Sequence, residues 1–304
     1  MSCAQPVFER RSRQRGFRNV KDPDRKAIAP MVQAALEEDG ARSDATVSFL
    51  GIDDEAIAAD VIAGGDGVVC GVDVAREVFR QMDESIVFDG GVQDGERCQV
   101  GGTICSVRGR ARSILSSERV ALNFMQRMSG IATLAAAFVA RVAGTGVTIL
   151  DTRKTTPLWR DLEKYAVRCG GAQNHRRDLR SMVLVKENHV RALGGEIASI
   201  ERLKTAHRDK GLSVEVEVDS IGFLKRLLGA PVDRVMLDNF TPAQVEEALT
   251  VISAVPLSSR MDVEVSGGVT LDNIADYAID GVDYISVGAL THSAPAVAMS
   301  LEVR

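Results

Sequence analysis

Residues 214–237 have the sequence VEVEVDSIGFLKRLLGAPVDRVML, and this stretch contains one unit of the pattern that decides the fold. The run 214–218 is rich in valine and predicts a strand, and the largely apolar run 234–237 predicts another. Between them the apolar residues fall at helical spacing. A strand, a helix and a second strand in this order predict two parallel strands that are covered by a helix.

The same alternation extends from Gly144 almost to the C-terminus. Near-continuous apolar runs predict strands at 147–150, 182–186, 214–218, 234–237, 262–265 and 284–287. Six or seven such units favour a parallel β/α barrel over an open sheet, although the pattern alone permits both.

The first half of the chain has a different pattern. Helices are predicted at 29–38 and 74–82, and a long helix is predicted to begin at Ser117 and to run through Phe138. Short strands are predicted at 47–50, 60–63, 68–69, 85–88 and 103–107, with a hairpin at Gly64-Gly65-Asp66-Gly67. This half therefore predicts a small antiparallel sheet with helices, an α+β layer.

Composition excludes several classes of protein. The 304 residues carry a formal charge of −5, which argues against a general nucleic-acid binder. No apolar run approaches the length of a membrane helix, and no secretory signal is visible. The five cysteines form neither a CxxC pair nor a zinc spacing, so we expect reduced thiols in a cytoplasmic protein.

The N-terminus carries a basic run between Arg10 and Lys26. A nucleic-acid or targeting arm is one interpretation. We favour a solvated, partly disordered leader, because no aromatic or apolar face accompanies the charges.

Polar residues follow the predicted strands of the second half, where the sites of β/α barrels lie. Glu215 and Glu217 are two apart in a strand and face the same side. One interpretation is ion pairing with barrel lysines or arginines. The other is binding of ribose or a divalent cation together with Asp238, since oxygen ligands without His or Cys suit magnesium.

Positive charge is concentrated between Arg153 and Lys186 in a chain that is acidic overall. Arg177 and Arg180 are predicted to lie on an exposed helix face. Arg153, Lys154 and Lys186 follow strands, so we expect them at the mouth of the barrel, where they would repel one another without an anionic ligand. Glycine turns after the last two strands predict a phosphate site. Together these residues predict a site for a multiply anionic phosphosugar with magnesium.

The charge pattern of the predicted site does not indicate a particular reaction, but eleven short motifs that occur in order along the chain do. They are ER at 118–119, LNF at 122–124, SGIAT at 129–133, DTRKTTP at 151–157, EKYAV at 163–167, NHR at 174–176, KENH at 186–189, EVEV at 215–218, MLDNF at 236–240, SGG at 266–268 and VGALTHS at 287–293. This set resembles the quinolinate phosphoribosyltransferase family, and the similarity extends from about Glu37 to the C-terminus.

The resemblance implies an α/β fold, with an N-terminal α+β sandwich domain and an incomplete parallel β/α barrel. The implied divisions are a basic leader at 1–28, the sandwich at 29–130, the barrel at 131–290, and a segment at 291–304 that returns to the N-terminal domain. The family transfers phosphoribosyl from phosphoribosyl pyrophosphate to quinolinate with decarboxylation. Its members are homodimers or dimer-based hexamers, and the site lies at the dimer interface.

The resemblance also assigns roles to residues. Arg119 would reach into the partner subunit's site. The quinolinate carboxylates would be held by Arg153, His175, Arg176 and Lys186. Lys154, Glu217 and Asp238 would be the catalytic residues that serve phosphoribosyl pyrophosphate, the two carboxylates binding Mg²⁺. The 5′-phosphate pocket would be lined by Ser266, Gly267, Gly268, Gly288 and His292.

The chain departs from the family pattern at a few positions without an assigned role. These are Leu158-Trp159, Ala172, Ser181 and Glu187. Two alternatives stay open. A sister phosphoribosyltransferase, acting on nicotinate or linked to metal uptake, would need fewer cations around the base. A non-catalytic phosphosugar-binding protein would tolerate loss of Glu217 or Asp238, yet both are present.

Overall fold

The structure of the protein is a computed structural model that describes residues 25–52, 55–206, 211–256 and 261–304. The first half forms a layer of short strands and helices. In chain order these elements are α1 (Arg25–Glu38), a 3₁₀ turn (Ala41–Ser43), α2 (Ala45–Leu50), β1 (Ala56–Ala63), β2 (Gly67–Val68), α3 (Val72–Met82), β3 (Val87–Asp89), β4 (Arg97–Cys98), β5 (Thr103–Arg110) and α4 (Ala111–Arg141).

The second half alternates strands with helices and ends in one further strand. Its elements are β6 (Thr148–Leu150), α5 (Arg160–Cys169), β7 (Val183–Val185), α6 (Glu187–Ala192), α7 (Glu196–Thr205), β8 (Val214–Val218), α8 (Ile221–Leu227), β9 (Arg234–Asp238), α9 (Pro242–Ser253), β10 (Asp262–Ser266), α10 (Ile274–Tyr277), β11 (Tyr284–Ser286), α11 (Ala289–His292) and β12 (Met299–Val303).

The two halves contain the two kinds of sheet that the sequence predicts. The N-terminal sheet is antiparallel with the order β12-β1-β5-β3, so the end of the chain returns to it. The second sheet has six strands in the order β6-β11-β10-β9-β8-β7, and every neighbouring pair is parallel. At the edge strand β6, Leu150 forms an isolated parallel β-bridge with Gln173. The predicted fold class, a sandwich plus an incomplete parallel barrel, is confirmed.

Three local predictions for the N-terminal half are wrong. Residues 47–50 belong to helix α2, because the Asp44 carboxylate caps it by accepting from Thr46 N at 2.8 Å and Val47 N at 3.1 Å. There is no hairpin at Gly64–Gly67 among the described residues, since β1 pairs with β5 and β12 while β2 pairs with β4.

The third correction concerns the long helix. It begins at Ala111, directly after β5, and Ser117 lies inside it. The Ser117 hydroxyl donates to the Ser113 carbonyl at 2.7 Å. Ser117 therefore makes a hydrogen bond within the helix and does not cap the N-terminus of the helix.

Two of the predicted domain boundaries fall inside helices. Helix α1 begins at Arg25, before the predicted end of the leader at residue 28, and the basic residues Arg10 to Arg18 lie outside the described residues. Helix α4 runs through the boundary predicted between residues 130 and 131 and therefore belongs to both halves. Within the described ranges, no helix has the length and apolar character that crossing a membrane requires.

The SGIAT motif joins the two halves within α4. Ser129 Oγ accepts from Cys70 N at 2.9 Å, and Thr133 Oγ1 accepts from Val68 N at 2.8 Å. Between them, a Cβ atom on Gly130 would lie 2.0 Å from the Pro295 carbonyl oxygen, so only glycine permits the C-terminal segment to cross α4 this closely. The motif is thus explained by packing.

We expect Gly130→Ala to destabilise the protein by about 1–3 kcal/mol, because the clashing atoms are backbone and cannot move alone. A matched control is Gly222→Ala on α8, where the nearest atom to a new Cβ is a flexible Arg226 nitrogen at 3.7 Å. That change should stabilise by about 0.5–1 kcal/mol through helix propensity. Denaturant unfolding of both variants measures the difference, and equal effects would contradict this account of Gly130.

Candidate active site

The polar residues singled out in the sequence gather at one edge of the parallel sheet. Lys186 follows β7, Glu217 lies near the end of β8, and Asp238 and Ser266 end β9 and β10. Ser266 is in register with Asp238 on one side and Ser286 on the other. Because the carboxyl ends of parallel strands share an edge, these side chains form one site.

Acidic and basic groups alternate at this edge. Lys186 Nζ lies 3.2 Å from Glu217 Oε2. Burial raises the pKa of Asp238, and the negative charge of Glu217 raises it further, while Lys186 and Lys154 act in the opposite direction. Glu217 and Asp238 are therefore close enough to repel each other, with two lysines beside them.

The charges of two arginines, Arg153 and Arg176, interact at this edge, and Glu215 and Asp178 partly offset the charge of Arg176. Arg176 is buried, and its NH1 donates to the Met182 carbonyl at 3.1 Å. Burial and then the charge of Arg153 lower the pKa of Arg176. The Nε of Arg153 is buried and has no hydrogen-bond partner among the described residues. A buried guanidinium nitrogen without a partner points to an anionic ligand.

Asp151, two residues before Arg153, anchors the separate loop that carries Arg176. Its carboxylate accepts from Lys164 Nζ at 2.6 Å, from Asn174 Nδ2 at 2.7 Å and from His175 N at 2.8 Å. Lys164 also donates to the His175 carbonyl at 3.0 Å. Neither the Asp151 nor the Lys164 side chain is exposed. Burial raises the pKa of Asp151 and lowers that of Lys164, and each charge opposes the shift of the other.

Glu163, which precedes Lys164 on α5, holds the DTRKTTP loop in place. It is fully buried and accepts from Thr156 N at 3.0 Å and from Thr156 Oγ1 at 2.8 Å. Arg127 of α4 donates to the same carboxylate at 3.0 Å. Thr291 Oγ1 donates to the Lys154 carbonyl at 2.8 Å, which ties the loop to α11.

Close backbone approach explains the glycines at this edge. Gly267 has φ 95°, and a Cβ there would lie 2.3 Å from Asn239 Oδ1. A Cβ on Gly288 would lie 3.0 Å from His292 Nε2 and 3.1 Å from Lys154 Cδ. The glycine turns thus leave space in which Lys154, His292 and the backbone N–H groups converge.

The His175 ring lies inside the barrel. Its Nδ1 accepts from the Arg176 backbone N–H at 2.7 Å, and its Nε2 is 3.1 Å from Glu215 Oε2. Two further buried groups, Glu264 and Arg234, line the same interior. Burial raises the pKa of both Glu215 and Glu264 to about 7. Sequence reasoning missed Glu264 and Arg234, although their places in strands β10 and β9, beside Glu215 in β8, were an available signal.

Other sequence-selected residues lie apart from this group. Arg119 projects from α4 with 57% of its side chain exposed, and its ion pair within the described residues is a long one with Glu118 at 4.0 Å. Arg177 and Arg180 are exposed as predicted, but they lie in the loop between α5 and β7, so the predicted helix face is wrong.

A cavity of about 660 Å³ extends from the acidic side of the site. Glu217 and Asp238 line this cavity together with Arg191, Glu196 and Arg226. The sequence analysis did not select these last three residues, because they belong to different helices and meet only through helix packing.

The departures from the family pattern are accommodated locally. Leu158 has φ 67°, a left-handed backbone conformation that favours glycine. Its side chain is 91% exposed. The Trp159 ring stacks on Phe124 with centroids 4.9 Å apart. Ser181 Oγ donates to the Asp178 carbonyl at 3.1 Å, and Ala172 is buried. None of them displaces a residue of the site.

An incomplete β/α barrel, with cations, paired carboxylates and glycine turns at its carboxyl edge, defines an enzyme that binds an anionic phosphosugar. Residues 44–129 match the N-terminal domain of quinolinate phosphoribosyl transferase, and residues 131–302 match its C-terminal domain. The chain belongs to the quinolinate phosphoribosyltransferase family.

Individual relatives agree over most of their length. A probable nicotinate-nucleotide pyrophosphorylase [carboxylating] of Archaeoglobus fulgidus is 40% identical over 81% of this chain and 94% of its own. A quinolinate phosphoribosyltransferase [decarboxylating] of Nicotiana tabacum is 38% identical over 90% of this chain and 81% of its own. The nicotinate-nucleotide pyrophosphorylase structure from Francisella tularensis superposes with a TM-score of 0.85 at 34% identity, covering 95% of this chain and 100% of that one.

We expect Lys164→Met to destabilise the protein by about 3–5 kcal/mol, because it leaves the buried Asp151 carboxylate without its counter-charge. Lys225→Met on the exposed face of α8 is the matched control and should change stability by less than about 0.5 kcal/mol. Chemical denaturation of the two variants gives both values. A small effect at Lys164 would show that Asp151 is neutral or otherwise compensated.

Proposed function

We propose that this enzyme transfers the phosphoribosyl group of phosphoribosyl pyrophosphate to quinolinate and removes the 2-carboxylate. The products are nicotinate mononucleotide, pyrophosphate and carbon dioxide, and the reaction is a step of de novo NAD biosynthesis. One observation carries the proposal: Arg153 and Arg176 are close enough for their charges to interact, and Arg153 Nε is buried with no hydrogen-bond partner among the described residues. Such a pair suits an anion with more than one negative charge.

A dicarboxylate matches the cations better than a monocarboxylate does. Arg153, Arg176 and Lys186 present three positive charges, of which Lys186 already faces Glu217. Two carboxylates of quinolinate would supply one negative charge to each arginine, in addition to the attraction that Glu215 and Asp178 exert on Arg176, whereas nicotinate would supply only one. The pocket therefore favours quinolinate over the substrate of the sister enzymes.

Glu217 and Asp238 fit a magnesium ion that is shared with the substrate. Burial raises the pKa of Asp238 and the charge of Glu217 raises it further; a divalent cation would relieve this repulsion, and both carboxylates offer the oxygen ligands that magnesium prefers. When bound, the ion neutralises charge on the departing pyrophosphate. Lys154 lies beside this pair and adds a positive charge for the same phosphates.

The fixed charges of the site support both steps of the reaction. The Glu217 and Asp238 carboxylates stabilise positive charge on the ribose as its bond to pyrophosphate breaks and the pyridine nitrogen attacks the anomeric carbon. The bond from C2 to its carboxylate then breaks, carbon dioxide leaves, and C2 takes a proton; the adjacent quaternary nitrogen stabilises the electron pair. Preorganised charges lower the barrier of such a reaction, because they need little reorientation as charge develops.

The remaining assignments complete the proposed site. Backbone N–H groups at Ser266, Gly267, Gly268 and Gly288, with His292, would hold the 5′-phosphate. Arg119 would act in the site of the partner subunit, so the enzyme would work as a homodimer or as a hexamer built from dimers. The family's soluble substrates and the free cysteines of the described residues favour a cytoplasmic setting.

The reaction is tested with quinolinate or nicotinate, each with phosphoribosyl pyrophosphate and magnesium, while carbon dioxide and pyrophosphate are followed. We expect both products only with quinolinate, and a kcat/KM for nicotinate that is lower by about 100-fold or more, because nicotinate leaves a cation unpaired. Efficient turnover of nicotinate without carbon dioxide would assign the chain to the sister class. Turnover of neither would contradict an enzymatic role.

The subunit assignment of Arg119 is tested with mixed dimers. Arg119→Ala and Asp238→Asn should each abolish turnover without unfolding the protein, because Arg119 is exposed on α4 and Asp238 is only partly buried at the end of β9. If Arg119 acts across the interface, a mixed dimer contains one intact site, and equal co-expression should restore about a quarter of wild-type activity. Differently tagged chains isolate the mixed species. An absence of restored activity would place Arg119 in its own subunit's site.

A further inference from the structure

A buried layer of ionisable groups lies beneath the site, and the proposed function gives three of them no role. Glu215 and Glu264 are fully buried, and Arg234 is 4% exposed. They come from the adjacent strands β8, β10 and β9, and all three reach the barrel interior where the His175 ring lies. Buried charges are costly, so each needs a compensating contact.

Two of these groups compensate each other. Arg234 NH1 donates to Glu264 Oε2 at 2.9 Å, and its guanidinium lies 3.8 Å from the centroid of the Tyr284 ring. The charge of Arg234 also acts on Glu215, and Glu215 in addition reaches the loop that carries Arg176. Its Oε2 lies 3.1 Å from His175 Nε2, and the next carboxylate, Glu264 Oε1, is 3.6 Å from the same nitrogen.

The hydrogen bonds of His175 define its tautomer. The Arg176 backbone N–H donates to Nδ1 at 2.7 Å, so Nδ1 must offer a lone pair. Burial lowers the pKa of His175 and favours the neutral ring. The ring proton of a neutral imidazole must then sit on Nε2, from which it is donated to Glu215. The Nε2–H tautomer is thus the one that satisfies both contacts of the ring, the Arg176 N–H at Nδ1 and the Glu215 carboxylate at Nε2.

A metal ion is a poorer occupant of the same three groups. His175, Glu215 and Glu264 bring their ligand atoms within 4.8 Å of one another, which is close enough to share an ion. A metal on Nε2 would require the proton on Nδ1, where it would face the Arg176 N–H, and the Arg234 charge lies next to the site. The geometry favours hydrogen bonds over coordination.

We propose that Glu215 is a positioning residue for the quinolinate pocket. It holds His175 in the Nε2–H tautomer, and Nδ1 then fixes the backbone of Arg176, whose guanidinium is held at its other end by the Met182 carbonyl. Without Glu215 the Nε2–H tautomer loses its hydrogen bond, since Glu264 Oε1 is 3.6 Å from Nε2, and its advantage over the other tautomer falls. A proton on Nδ1 would push the Arg176 N–H away. This inference rests on the proposed function of Arg176 in binding a carboxylate.

Kinetics of two Glu215 variants separate positioning from packing. Glu215→Met keeps a side chain of similar length but removes the hydrogen-bond acceptor. We expect its KM for quinolinate to rise about 10-fold or more. Its KM for phosphoribosyl pyrophosphate should stay within about 2-fold of wild type. Glu215→Gln retains an oxygen that accepts from Nε2–H and should recover most of the loss. Leu184 on β7 is buried and pairs with Glu215 across the sheet, so Leu184→Met is the packing control. Its two KM values should equal those of wild type.

The tautomer itself is measurable without activity. The chain has four histidines, so ¹⁵N-labelled imidazole NMR of the wild-type protein, assigned with His175→Asn, resolves the ring. We expect protonated Nε2 and unprotonated Nδ1 at neutral pH, and loss of that pattern in Glu215→Met. A wild-type ring protonated on Nδ1, or a Glu215→Gln variant as defective as Glu215→Met, would overturn the proposal. If quinolinate is not the substrate, the NMR result still tests the link between Glu215 and His175.

Discussion

The buried ion pair between Asp151 and Lys164 is the interaction on which the geometry of the site depends. It joins the end of strand β6, helix α5 and the loop at 173–176, and the same carboxylate also receives Asn174 Nδ2 and His175 N. A buried pair of this kind gains little net stability, because desolvation offsets the attraction. What it provides is a fixed arrangement: an alternative placement of the loop would leave a charge buried and unpaired.

The positive charge of the site is held in place by such buried partners. Glu163 fixes the loop that carries Arg153 and Lys154, and Arg127 links it to the C-terminal segment. Below the arginines, the His175 ring accepts from the Arg176 backbone N–H inside the barrel, and Glu215 contacts the other side of that ring. Because the cations are oriented before any ligand arrives, little reorganisation is needed when an anion binds. The N-terminal layer takes part in this scaffold, since α4 provides both Arg127 and the SGIAT contacts.

The barrel strands were predictable to within about two residues because they are buried on both faces and therefore nearly continuous in apolar residues. The failures occurred where a side chain or a distant segment outweighs local preference. Asp44 caps a helix in the valine-containing run at 47–50. Gly64 donates its N–H to Ala298, which is far away in the sequence, so the expected hairpin does not form. Contacts of this kind carry no periodic signal.

The sequence by itself determined which chemical groups stand at the strand ends, because a strand followed by Lys186, Asp238 or Ser266-Gly267-Gly268 places them at one edge in any parallel sheet. It also identified the family through ordered motifs. Only the tertiary structure decided that the His175 ring turns into the barrel toward Glu215, that Arg234 pairs with Glu264, and that α6, α7 and α8 extend the cavity. These contacts join segments whose relative orientation is set by the packing of the whole barrel, and no local stretch of sequence contains that information.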